Sequence, residues 1–184
     1  MKKFLCIILA IVMMVSFTAC GKESPEKAAD NALKAVKSLN IKGMEKYFGE
    51  VDVDDMDLDE ISAEEMKVTK KFLSKMSWEI LGSVEDETTA TVTVRLTTVD
   101  LAPIVKEIAG ELMGDAFSSL FGDGMSEEEM EQKALKIFEE KLAEKDIQMT
   151  TNDVELDMIL TEKGWKIELE DSIFGDFTGM FDEF

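Results

Sequence analysis

Thr89-Ala90-Thr91-Val92-Thr93-Val94-Arg95-Leu96-Thr97 alternates without a break. Its even-numbered positions are apolar, and its odd-numbered ones are threonine or arginine. Successive side chains on a strand point to opposite faces, so this stretch reads as a strand with one buried and one wetted face. Upstream, Trp78, Ile80, Gly82 and Val84 occupy alternate positions, and Glu85-Asp86-Glu87 turns the chain. Together they predict an antiparallel hairpin. A second hairpin follows from Val154, Leu156, Met158 and Leu160, which alternate with Asp153, Glu155 and Asp157. Glu162-Lys163-Gly164 turns it, and Trp165, Ile167 and Leu169 alternate with Lys166, Glu168 and Glu170.

Around the hairpins the period changes to that of a helix. Ser24-Pro25 supplies an N-cap and a first helical residue, and Ala28, Ala29, Ala32, Leu33, Val36 and Leu39 follow on one face. Asn40 breaks that helix, and Ile41 to Phe48 predicts a shorter one with Met44, Tyr47 and Phe48 inward. Ser62 and Glu65 form a capping box ahead of Met66, Thr69, Phe72, Leu73 and Met76. Between the hairpins, Asp100 caps a helix with the stripe Ile104, Val105, Ile108, Leu112, Ala116, Phe117, Leu120 and Phe121. Gly110 and Gly114 on it predict close packing on a neighbour, or local flexibility. Ser126 and Glu129 cap a further helix lined by Met130, Ala134, Ile137, Phe138 and Leu142. The expected fold class is α+β: a curved antiparallel sheet of about four strands on N-terminal helices, with a two-helix insertion between the hairpins.

Ahead of all this, Lys2 and Lys3 precede an apolar run from Phe4 to Val15, and small residues lead to Cys20. This is the three-part layout of a secretory signal peptide, and the run is shorter than the roughly 20 residues that span a bilayer. Phe17-Thr18-Ala19-Cys20-Gly21 resembles the bacterial lipoprotein signal box. The resemblance implies cleavage between Ala19 and Cys20 and lipidation of Cys20. Residues 1–19 are then a removed signal, 20–24 a lipidated tether, 25–170 one domain and 171–184 an apolar, acidic tail. Ile173, Phe174, Phe177, Met180, Phe181 and Phe184 give that tail a core-packing reading, against a partner-binding one. The expected location is the outer face of the cell membrane. Cys6 leaves with the signal, so the mature domain folds without disulfides.

The chain has 184 residues, 20 lysines and arginines, 40 acids and no histidine, for a net charge of −20. Loss of Lys2 and Lys3 takes the mature charge to −22. Such a surface disfavours nucleic acid and anionic lipid headgroups, so the lipid rather than the protein face is expected to hold the chain at the membrane. It favours cationic partners, although strong acidity also serves solubility alone. Without histidine the commonest general base and transition-metal ligand are missing. Asp52, Asp54, Asp55, Asp57 and Asp59 invite a weak cation site, but the spacing is not that of a calcium loop. From Asp55 the sixth residue is Glu60 rather than glycine, and the twelfth is Met66 rather than glutamate. The inward rows of the four strands carry no carboxylate, tyrosine, lysine or serine, so no acid or base is placed in the core. No phosphate loop, nucleophile elbow or paired metal ligands occur, and no cofactor is expected. On the outer face, Arg95 meets a carboxylate of the next strand such as Asp157, either as a surface ion pair or as a dimer contact.

The order of helices and hairpins, ending in Gly164-Trp165-Lys166-Ile167, resembles the small exported lipoproteins of Gram-positive bacteria with a nuclear-transport-factor-2-like (cystatin-like) domain. That resemblance implies a sheet wrapped on a helix, a cone open to a small ligand and an outer face used for dimers. The two inserted helices depart from it, and no catalytic residue carries over. The expected function is a lipid-anchored, non-enzymatic binding module, for either an apolar molecule in the cone or a basic protein or peptide on the acidic surface. The alternatives are a small hydrolase- or isomerase-like enzyme using loop carboxylates, and a structural envelope lipoprotein.

Overall fold

The computed structural model describes residues 23–48, 61–119 and 125–168. The signal and Cys20, the aspartates from Asp52 to Asp59 and the apolar tail from Ile173 to Phe184 lie outside the described residues.

Helix α1 runs Pro25–Lys37. The Ser24 side chain accepts from the Lys27 N–H, and Pro25 fills the first turn, where its missing N–H costs nothing. Lys34 and Lys37 sit in the last turn, where cations favour the helix dipole. Leu39 takes a positive φ of 50° at the corner, and Asn40 caps α2, Ile41–Tyr47. Helix α3, Ala63–Lys75, starts with the expected capping box of Ser62 and Glu65. Strands β1, Ser77–Glu85, and β2, Thr89–Val99, form the first hairpin. Helices α4, Leu101–Ser119, and α5, Glu127–Ala143, then intervene before β3, Met149–Thr161, and β4, Gly164–Ile167.

The sheet is antiparallel throughout, in the order β1-β2-β3-β4. Its spine is the β2–β3 pair, in register from Thr89 opposite Ile159 to Val99 opposite Met149. The two inserted helices are thus the connection between adjacent central strands. Strand β3 begins before the alternation that predicts it, because Thr150 and Thr151 are β-branched and pair with Thr98 and Thr97.

The main core lies between one sheet face and α1. Ala28, Ala29 and Ala32 are fully buried, and their small side chains bring the helix backbone close to the strands. Against them lie Val92, Val94, Val154, Leu156, Met158, Trp165 and Ile167. Tyr47, Phe48 and Met76 close the edges. A second, smaller core joins Val99, Leu101 and Ile104 to Val68 of α3 and Leu142 of α5.

Three expectations are corrected. The register of β1 shifts between Ile80 and Gly82, which leaves Leu81 as an extra residue. Such a bulge exchanges the two faces of the strand beyond it. Val84 is therefore 77% exposed, and Ser83, opposite Val92, takes the inward position. On α3 Thr69 of the expected stripe is exposed and Val68 is buried in its place, while Phe72 and Met76 of that stripe pack on the cores. Gly110 and Gly114 have open space around them among the described residues, so neither marks a close helix contact there.

Candidate functional site

Helices α3 and α5 each enter through a capping box, in which a serine hydroxyl accepts from the third N–H and a glutamate returns to the serine N–H. The local sequence that starts each helix also crowds its first turn with acid: Glu64 and Glu65 on one, Glu127, Glu128 and Glu129 on the other. Negative charge is favoured there by the exposed N–H groups. The Ser62 hydroxyl and backbone N–H hold the Glu65 carboxyl below its ordinary value, and Ser126 does the same for Glu129.

Between these two helices and α4 lies a groove of about 620 Å³. Its floor is Ile108, Ala134, Leu135 and Phe138, the outer edge of the second core. The Phe138 ring stands 6.2 Å from that of Phe72 in a tilted pair. Glu64, Glu65, Glu128 and Glu131 rim it, and among the described residues no lysine or arginine lines it. Ion pairs hold the helices around it. Lys67 meets Glu139 at 2.8 Å, Lys133 meets Glu111 at 3.0 Å and Lys141 meets Glu107 at 2.8 Å. An apolar floor under an acidic rim accepts an apolar, positively charged segment. The Ser62 hydroxyl in its lining accepts from the Glu65 N–H.

The polar groups nearest the main core form two small networks on α1. The Ser83 hydroxyl, brought inward by the bulge, donates to Glu26 at 2.5 Å. Burial pushes the Glu26 carboxyl up, but hydrogen bonds from Ser83, its own N–H and Ser24 outweigh this and hold it below the ordinary value. Burial likewise opposes the ionised form of Asp30, and Lys34, Lys27 and the Trp78 indole N–H together hold it low. Ser83 is a polar group that alternation alone misses. Gly82 inside the strand is the signal that reveals it, since a strand glycine often marks a bulge. Tyr47 is buried as expected, and its hydroxyl reaches the rim to donate to Glu23 and accept from Lys46.

Arg95 does not meet Asp157. The β2–β3 register sets it opposite Asp153, and the guanidinium binds that carboxylate through two hydrogen bonds of 2.8 and 2.9 Å. Asp157 instead accepts from the Thr91 hydroxyl at 2.7 Å. The two residues are brought to one face but not together. Among the described residues every carboxyl with a resolved shift is held low, so each stays ionised at neutral pH. Among the described residues no three carboxylates gather as a metal site, and no helix is long and apolar enough to cross a membrane.

Residues 21–181 match the family described as Domain of unknown function (DUF5105). The chain belongs to this family. The DUF5105 match takes in all the helices and strands above and the acidic stretch between α2 and α3. No curated protein matches the sequence. Among solved structures, the chain is similar to a crystal structure of a proposed lipoprotein (ycdA) from Bacillus subtilis, at 15% identity and a TM-score of 0.46. The alignment covers 83% of this chain and 58% of that one, so this DUF5105 chain spans under two thirds of that protein's length.

Proposed function

We propose that this protein is a lipid-anchored extracytoplasmic module that docks a basic, apolar segment of a partner protein in the groove between α3, α4 and α5. The observation that carries the reading is the groove itself: an apolar floor of Ile108, Leu135 and Phe138 under four glutamates, with no lysine or arginine in its lining among the described residues. The face of the sheet is the weaker place for a ligand, because α1 already packs on it through Ala28, Ala29, Ala32 and Leu33. Anchoring rests on Ala19-Cys20-Gly21 behind an apolar run, as in the lipoprotein signal box, and location on the outer membrane face follows from it. Helix α1 on a four-strand sheet supports the likeness to nuclear-transport-factor-2-like lipoproteins.

The module acts without catalysis in this reading. Dimerisation through Arg95 has less support, because Asp153 of the same chain already occupies the guanidinium.

Titration of the purified protein with a synthetic peptide of lysine and leucine at helical spacing tests the docking. Saturable binding that weakens with salt, and weakens again on Glu128→Gln with Glu131→Gln, is expected. Binding of equal strength by that double variant overturns the assignment to the groove.

A further inference from the structure

The anchored end of this strongly acidic protein carries a basic patch. The C-terminal end of α2 is tied to β4 by a bridge between Phe48 and Ile167. That bridge brings Lys42 and Lys46 of α2 beside Lys163 and Lys166 of the second hairpin. The four lysines line one open depression of about 330 Å³, with Glu45 the only acid in its lining among the described residues. Lys166 is held there by the carbonyls of Glu45 and Phe48, at 3.3 and 3.0 Å. Lys46 packs over the Tyr47 ring at 4.3 Å and reaches Glu23 at 3.8 Å. Among the described residues, Lys42, Lys163 and Lys166 have no carboxylate within 4.0 Å. Three neighbouring lysines with no paired acid among the described residues stand out on a chain of net charge −20.

Its position gives it a partner. Glu23, which touches Lys46, stands three residues after Cys20. Three residues span at most about 11 Å, so an acyl group on Cys20 holds this end of the domain against the headgroups. We infer that Lys42, Lys46, Lys163 and Lys166 form a membrane-facing site for the phosphates of anionic lipids. The patch orients the domain on its tether and turns the acidic groove helices toward the aqueous side by charge repulsion. A lipid chain then holds the protein, and a basic face sets its attitude. This rests on the lipid anchor proposed above.

The test uses the full acylated protein isolated from membranes and reconstituted in vesicles. One set is phosphatidylcholine alone, and the other adds phosphatidylglycerol. Flotation reports the anchor, and amine-reactive labelling read by peptide mass reports the patch. Flotation with both sets is expected, with labelling of Lys42, Lys163 and Lys166 at least about threefold lower on phosphatidylglycerol. Lys106 and Lys136, exposed on the inserted helices, should label equally on both sets. High salt should restore labelling of the patch. Flotation with equal labelling of the patch overturns the proposal and leaves the anchor standing. Failure to float with either set overturns the anchor and the proposal with it. Equal protection on phosphatidylcholine by inorganic phosphate alone also overturns it, in favour of a free-anion site.

Discussion

The Arg95 guanidinium and the Asp153 carboxylate lie directly across the β2–β3 pair and share two parallel hydrogen bonds, Nε to Oδ1 at 2.8 Å and Nη2 to Oδ2 at 2.9 Å. Cross-strand opposition fixes the partner, because only side chains at paired positions stand close enough for a forked contact. A double-mutant cycle in urea should therefore find coupling between Arg95→Met and Asp153→Asn, and none between Arg95→Met and Asp157→Asn. Coupling with Asp157 instead would mean a β2–β3 register displaced from that described.

The bulge at Leu81 leaves Val84 outside the core. Val84 is 77% exposed, so Val84→Ala should change stability by less than about 0.5 kcal/mol. Leu156 is 1% exposed in the main core, and Leu156→Ala should cost about 2–5 kcal/mol. Chemical denaturation of both variants checks the contrast. A large loss at Val84 would restore the unbroken alternation that the bare sequence implies.

That contrast shows what the residue pattern conveys and what it does not. Thr89 to Thr97 announces a two-faced strand, and both capping serines announce their helices, because each signal is local. The partner of Arg95 is not local. It depends on where β3 starts, and Thr150, Thr151 and Asn152 carry no apolar alternation to mark that start. The inward turn of Ser83 depends on one extra residue in β1, visible only as a glycine. The groove was the least legible feature. Its floor residues, Ile108, Ala134, Leu135 and Phe138, come from two helices, and only the packing of α3 beside α5 turns their acidic first turns into a rim.

Gly164 begins β4 with φ near 114°, a conformation that side chains with a Cβ rarely adopt. No atom lies within 4 Å of a Cβ placed there, so any cost of substitution is backbone strain rather than a clash. Gly164→Ala should destabilise by about 1–3 kcal/mol, read from the urea midpoint. A neutral result would show that the turn relaxes to a different geometry.

Glu26 and Asp30 both have folded-state carboxyls below their ordinary values, so the unfolded chain binds more protons there at mildly acid pH. The stabilisation is complete above about pH 5.5, where both carboxyls are ionised in either state, and is lost as pH falls through the unfolded and then the folded values. Because protonation also relieves repulsion across a highly acidic surface, the informative quantity is a difference. The stability advantage of the natural chain over Glu26→Gln with Asp30→Asn should shrink steadily from pH 6 to pH 3. An advantage that grows on acidification would reverse the sign assigned to these two groups.

The most direct measurement follows methyl resonances while the lysine and leucine peptide is added to the protein. Ile108 and Leu135 report the groove, and Leu33 and Val92 report the layer between α1 and the sheet. Docking in the groove predicts saturable shifts at Ile108 and Leu135, with Leu33 and Val92 unmoved. Shifts centred on Leu33 and Val92, or none at Ile108 and Leu135 at saturation, would contradict it.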